Sequence, residues 1–428
     1  MRKLVTGAAL AVLMAAGTAA APIYIHAGRL IDIPGKPARG PSTIVVDNGR
    51  IVSVSEGLTR IESGVPFIDL STKTVLPGLI DSHVHLSSDR GGEQALLAEV
   101  RNDPPLQAFE AQMNGMKTLR AGFTTVRNLG DDGGVTLALR DAIKNGWVQG
   151  PRIVDAAESI STTGGHMDGR GALNDELVAH WQPNPENLCD SLESCRRVVR
   201  RQIDRGADVI KFATTGGVNS GTGLATRMFE DEARALVETA HAYGRKVAVH
   251  AHGADGIKLA LRAGADSIEH GTVMDEEIVR LMKAKGTYYV PTLSTVNGYI
   301  ERLAKDPNAY TGAVKQQIEW RIGITGQSLA KAHPGGVKIA YGTDAGVSKH
   351  GRNADEFELL VKFGMPPVEA LKAATVNAAD LLGLSREIGT IEPGKSADII
   401  AVSGDPLQDV TVLKKVEFVM SRGETIVR

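Results

Sequence analysis

After residue 21 the apolar positions of the chain fall first into short runs of strand character. IYIHAGRLIDI, STIVVDNGRIVSV and FIDL are parted by Gly and Pro turns, and Asp47-Asn48-Gly49 between two β-branched runs is a hairpin signal. The chain ends the same way, with GTIEPGKSADIIAV and VEFVMSRGETIV. These segments predict one small β-sandwich domain made from residues 22–76 plus 385–428.

Between them, residues 77–384 alternate apolar runs with amphipathic stretches. The runs are GLIDSHVHL, GFTTVRNLG, RIVDAAESI, ADVIKFATTGG, KVAVHAHG, SIEHGT, TYYVPTLS and KIAYGTDAG, eight in all. FEDEARALVETAHAYG and DGIKLALRAGA between them carry helical periodicity. Eight β-then-α units in series predict an α/β fold, a parallel (β/α)8 TIM barrel, with a doubly wound open sheet as the competing architecture.

The first residues read differently. Arg2 and Lys3 are followed by apolar Leu4 to Gly17 and by small residues from Thr18 to Ala21, the layout of a signal peptide over residues 1–21. This predicts an exported protein, periplasmic or secreted, off the membrane once the signal is removed; an uncleaved anchor is the alternative. The apolar run is too short to span a bilayer, and no second run reaches that length. Export makes a disulfide between Cys189 and Cys195 feasible, against two free thiols, provided Cys189 lies outside the helix that follows. Composition adds little: 428 residues, 42% hydrophobic and 23% charged, suffice for a large domain and a small one. The net charge of -2 offers no field for nucleic acid.

Chemistry enters with the histidines. His83 and His85 end the first run of the middle region, and residues two apart in a strand point to one side, so both imidazoles can reach one metal ion. By itself this is equally a strand end with two hydrogen-bonded histidines. Lys211 lies in ADVIK, His250 ends KVAVH, His270 ends DSIEH and Asp344 ends KIAYGTD. Ligand-type residues thus recur at C-terminal strand ends, where barrel enzymes carry their chemistry. His252 shares a face with His250; His250 is preferred as ligand because it ends the apolar run, leaving His252 behind the ligands or against substrate.

The ordered set His83-x-His85, Lys211, His250, His270 and Asp344, with PGLIDSHVHL, resembles the amidohydrolase superfamily in its two-metal form. The likeness covers nearly the whole chain after residue 21. HAHG, IEHGT and HGRNADE are similar to the branch related to imidazolonepropionase, which contains Xaa-Pro dipeptidases, carboxypeptidases for basic C-terminal residues and ochratoxin-hydrolysing amidohydrolases. The resemblance implies two divalent ions, with zinc the best fit to imidazole and carboxylate donors. His83, His85 and Asp344 would hold one ion and His250 and His270 the other. Lys211, carboxylated by carbon dioxide, would bridge them. Imidazolonepropionase itself is a one-metal enzyme without this lysine, so Lys211 argues against that reaction. Asp344 is implied as general base for a water activated by both ions. The resemblance implies a homo-oligomer as well, with an octamer as one form.

Candidate substrate contacts lie in the loops. His166 in STTGGHMDGR would donate to the scissile carbonyl or to a substrate carboxylate; His350, Arg352 and Asn353 would bind a carboxylate, Arg352 bidentately. Tyr288, Tyr289 and Thr292 would line a pocket or fill the core, and His26, His180, His241 and His333 read as structural or surface. GVNSGTG lacks the lysine and spacing of a phosphate loop, and GGEQALLAEV reads as a solvated helix. The branch resemblance favours amide substrates: dipeptides or N-acyl amino acids with a free C-terminal carboxylate, ochratoxin among them. A lactonase or phosphotriesterase would use the same site, and a non-catalytic periplasmic binding protein would keep the barrel alone.

Overall fold

The computed structural model describes residues 21–428 except 92, 132, 171–172, 182–184, 221 and 311. Residues 1–20 of the expected signal peptide lie outside the described residues. The strands described are β1 (Ile23–Leu30), β2 (Ser42–Asp47), β3 (Arg50–Glu56), β4 (Phe67–Pro77), β5 (Leu79–Val84), β6 (Phe123–Asn128), β7 (Arg152–Asp155), β8 (Val209–Ala213), β9 (Lys246–Ala251), β10 (Ser267–His270), β11 (Tyr288–Val290), β12 (Ile399–Val402), β13 (Val416–Ser421) and β14 (Glu424–Val427).

The terminal segments meet in one sheet of order β14-β13-β12-β4-β1-β2-β3. The sequence predicts a two-layer sandwich here; the described strands instead join edge to edge, because β4 pairs with β1 on one side and β12 on the other. Ile25, Ile44, Val75, Ile399, Phe418 and Met420 are buried together in its apolar cluster. The β2–β3 hairpin closes where Asp47 pairs with Arg50. Asn48 (φ 47°) and Gly49 (φ 76°) both take left-handed backbone, which a two-residue type I′ turn demands and which Asn-Gly supplies at little strain.

The remaining strands are parallel and form two sheets, β5-β6-β7 and β11-β10-β9-β8. Every residue of β5, β6 and β8 is buried, as expected of strands covered on both faces. Helices alternate with them. Glu230–Ala242 follows β8 and turns Ala233, Leu236, Val237 and Ala240 inward at helical spacing; Ala254–Ala263 follows β9. Isolated parallel bridges, Ile160↔Phe212, Tyr289↔Ile339 and Val84↔Ala345, lie between the two sheets and the segment after residue 338. That segment, the eighth apolar run, is not a regular strand. Its Ala340 N–H donates to Tyr289 O (3.0 Å) and its Asp344 N–H to His83 O (2.7 Å), but the left-handed backbone of Asp344 (φ 57°) interrupts the ladder. Among the described residues no helix is long and apolar enough to cross a membrane.

Cys189 and Cys195 form a disulfide. Ser191 caps the helix Leu192–Asp204, so Cys189 lies outside it, and the Cys189 N–H donates to Ser161 O at 2.9 Å. The bridge therefore ties the helix start to the loop that carries His166. For so short a closed loop, replacing both cysteines by serine should cost about 2 kcal/mol. Calorimetry should show a melting temperature lower by a few degrees; an unchanged melting temperature would rule out a stabilising role for the bridge.

Candidate active site

His83 lies within β5 and His85 just beyond its end, with ring centroids 5.4 Å apart. Asp344 Oδ1 sits 3.5 Å from His83 Nε2 and 3.3 Å from His85 Nε2. One ligand atom from each of these residues lies within 4.8 Å of the others, and the same holds for His250, His252 and His270. The rings of His83 and His270 are 5.0 Å apart, so the groups adjoin. Lys211, in β8, is 1% exposed, and its Nζ has no hydrogen-bond partner among the described residues.

Each imidazole is oriented by an oxygen on one nitrogen, leaving the other for the cavity. His83 Nδ1 lies 2.8 Å from Glu269 Oε2, and His85 Nδ1 2.9 Å from Gly130 O. His250 Nε2 lies 3.2 Å from Gly216 O, His252 Nδ1 2.7 Å from Thr272 Oγ1 and His270 Nδ1 2.8 Å from Thr292 Oγ1. A metal-ligating imidazole is usually held this way. Glu269 is itself fixed by Arg127, whose Nη2 donates to Oε1 at 2.8 Å, and by Ser267 Oγ at 2.5 Å. His270, Thr292 and Asp344 all take left-handed backbone (φ 69°, 46° and 57°), so three strained residues gather at one site, where such strain is commonly found.

Burial sets the electrostatics. It pushes the His83 and His166 imidazoles down to about 4, and those of His250, His252 and His270 well below their usual range. All are therefore neutral near pH 7, the form that ligates metal. Burial likewise lowers the Lys211 amine to about 8, so a fraction is neutral and nucleophilic. Burial works to raise Glu269, but Arg127 and His83 outweigh it and hold the carboxyl at about 2. Asp344 is also kept below its usual value, because His83, His85 and Lys211 overcome the effect of burial.

These groups line a cavity of about 330 Å³, closed by His166, Met167, Val218, Asn219, Tyr299 and Arg321 among others. His166 stacks on His250 with centroids 4.3 Å apart, and its Nδ1 lies 3.2 Å from Ser220 Oγ. Gly217 permits that approach, since a Cβ there would meet the His166 ring at 2.1 Å. The Gly-rich stretch after β8 thus forms part of the cavity wall.

A model of the amidohydrolase family matches residues 74–426. The chain belongs to this family. The amidohydrolase is 31% identical over 413 residues to ochratoxinase of Aspergillus niger, covering 91% of this chain and 83% of that protein. It is 27% identical over 428 residues to imidazolonepropionase of Symbiobacterium thermophilum, covering 89% and 90% of the two chains. A crystal structure of a Xaa-Pro dipeptidase with methionine bound in its active site superposes with a TM-score of 0.88 at 40% identity, over 95% of this chain and 99% of that one. This amidohydrolase is accordingly a hydrolase of amide bonds, with mixed α/β content and fold neighbours of TIM-barrel type.

Of the residues singled out in the sequence, His83, His85, His166, Lys211, His250, His252, His270 and Asp344 line the cavity of this amidohydrolase. Four others do not, which corrects their reading as substrate contacts. His350 turns its Nε2 to His85 O (3.0 Å) and its Nδ1 to Thr118 Oγ1 (3.2 Å), bracing the backbone of His85 from behind. Arg352 pairs outward with Asp355 and Glu301. Asn353 is 1% exposed and donates to Asp81 Oδ2 at 2.8 Å. The Tyr289 hydroxyl donates to His270 O at 3.1 Å. In each case a protein partner already consumes the polar atom. Tyr288 bonds Asp380, and Thr292 supports His270. His26 contacts Thr59 O and His241 Asp266, both away from the cavity, while the side chain of His180 lies outside the described residues.

Sequence reading missed Glu269, Arg127, Arg321 and Tyr299. For the first two a signal existed: an acid in SIEHGT and a base in GFTTVRNLG, each inside an otherwise apolar run, where a charge is tolerated only when paired. Arg321 and Tyr299 sit on helices outside the β-run pattern and carried none.

Proposed function

We propose that this amidohydrolase is an exported two-metal hydrolase. It cleaves the amide bond of dipeptides or N-acyl amino acids bearing a free C-terminal carboxylate, the class that includes ochratoxin. The observation that carries the reading is a pair of buried nitrogens without hydrogen-bond partners among the described residues, His83 Nε2 and Lys211 Nζ, in the cavity that both ligand groups line. Buried polar atoms without partners are rare, and here they face a site whose chemistry would satisfy them.

His83, His85 and Asp344 would hold one cation, and His250 and His270, with His252 beside them, the other. This imidazole-rich set suits zinc. Lys211, adding to carbon dioxide through its neutral Nζ and releasing a proton to solvent, would become a carbamate, an anionic oxygen donor that could help to hold the cations. Bound divalent cations supply Lewis acidity at the scissile carbonyl and lower the pKa of the attacking water. Asp344 takes the proton of that water on its carboxylate and passes it to the leaving amine nitrogen. His166, oriented by Ser220, donates to the carbonyl oxygen of the substrate. Met167, Val218 and Val347 supply apolar wall that limits water access. The likeness to ochratoxinase and to a Xaa-Pro dipeptidase supports the choice of an amide substrate.

The same reading includes a (β/α)8 barrel over residues 77–384, supported by the bridges that span the sheet gaps, a terminal β domain, and a homo-oligomer. Metal content per chain, measured on protein purified without chelator, should be about two. A panel of dipeptides and N-acyl amino acids should then be turned over faster than lactones or phosphotriesters. No cleavage of any amide by metal-loaded enzyme would sink the substrate class.

A further inference from the structure

Arg321 is a buried cation without a counter-ion, and it lines the catalytic cavity. It lies on the helix Gly312–Gly323 and is 3% exposed. Its Nη1 donates to Thr325 Oγ1 at 3.2 Å; its Nε and Nη2 have no hydrogen-bond partner among the described residues. The nearby carboxylates are already engaged. Glu356 accepts the N–H groups of Leu293 (2.9 Å) and Ser294 (2.6 Å), while Asp344 faces His83 and His85. Burial depresses the guanidinium from its usual value, yet arginine stays ionised at neutral pH. An ionised, desolvated group with idle donors is costly unless a ligand completes it. Tyr299 lines the same cavity, and its hydroxyl also lacks a partner among the described residues.

We propose that Arg321 is the anchor for the substrate's α-carboxylate, with Tyr299 as a second donor. The inference rests on the amide-hydrolase reading and deepens it. A planar guanidinium with idle donors fits a carboxylate bidentately. A cavity of about 330 Å³ is at the small end of ligand sites, room for roughly one residue beyond the scissile carbonyl. The carboxylate bound is therefore that of the released amino acid. The enzyme is then selective for free acids over amidated C-termini, through a residue far in sequence from Arg352.

The test uses metal-loaded parent, Arg321→Met and Arg321→Lys, each checked for metal content and thermal unfolding. Calorimetry measures binding of the common L-amino acids and their C-terminal amides. Release of the N-terminal residue from dipeptides and from their amides gives KM and kcat. In the parent, acids should be preferred over amides on the order of 100-fold, through KM. Arg321→Met should abolish the preference, by raising KM for the acids to that for the amides. Arg321→Lys, which keeps the charge and loses the fork, should retain part of it, and it carries the test alone where the methionine variant does not fold. Equal treatment of acid and amide by the parent, binding of no acid at all, or a preference that survives Arg321→Met overturns the proposal. Acid-selective binding without peptide cleavage would sink the hydrolase reading and leave the anchor standing. Cleavage without acid preference would do the reverse.

Discussion

Replacing Lys211 by methionine is expected to lower kcat on the order of 10³-fold and to strip metal from the protein, while making the metal-free chain more stable. Methionine matches lysine in length and apolar stem but cannot form a carbamate, so the bridge is lost and the attacking water is no longer held between two ligand groups; loss of one such participant typically costs 10²- to 10⁴-fold. Stability should move the other way. Lys211 Nζ is buried with no partner among the described residues, and removing an unsatisfied buried polar group recovers about 1–3 kcal/mol. Metal content by mass spectrometry, turnover, and calorimetry on chelator-treated parent and variant measure the three effects. Unchanged metal content and rate would show that Lys211 bridges nothing. A destabilised metal-free variant would show that its amine has a structural partner in solution.

Glu269→Gln is expected to be the most damaging single change to the fold around the site. Glu269 and Arg127 are 0% and 2% exposed, and they form an ion pair at 2.8 Å that also fixes His83. Removing the charge of one partner leaves a buried guanidinium uncompensated, a cost of about 3–5 kcal/mol. It also frees the His83 ring, whose orientation depends on that carboxylate, and such outer supports typically affect metal affinity about 10- to 100-fold. The paired variant Arg127→Met with Glu269→Leu separates the two effects. It should regain most of the stability, because no charge is left buried, yet bind metal as poorly as the single variant. Chemical denaturation and competitive chelator titration read these out. Full metal affinity in the paired variant would remove Glu269 from the metal site.

How much of this was legible depends on how local each signal is. The Asn48-Gly49 hairpin, the buried parallel strands and the helical stretches followed from periodicity and turn chemistry, because each depends on neighbours within a few residues. The cavity-lining His83, His85, Lys211, His250, His270 and Asp344 were readable for a related reason: strands of a parallel sheet present their C-terminal ends to one face, so position in a run gives position in space. The pairing within the terminal domain was not legible, because strand patterns do not say which edges pair; in the fold β4 pairs with β1 and with β12. The eighth run was misjudged as a strand because nothing in its pattern foretells the left-handed turn at Asp344.

Partner assignment was the part only tertiary structure could decide. His350, Arg352 and Asn353 had the right chemistry in the right loop, yet their polar atoms are spent on His85 O, Asp355 and Asp81. Arg321 had no signal beyond being one arginine on a helix, and became notable only once packing buried it without a counter-ion. By itself the sequence determined the succession of strand and helix runs, the family and the ligand-type residues that line the cavity, since these rest on residue type and local spacing. Which donors remain unpaired at the cavity wall depends on side chains far apart in the chain, here 51 residues from His270 to Arg321 and 74 from His270 to Asp344, so it took the folded structure to decide.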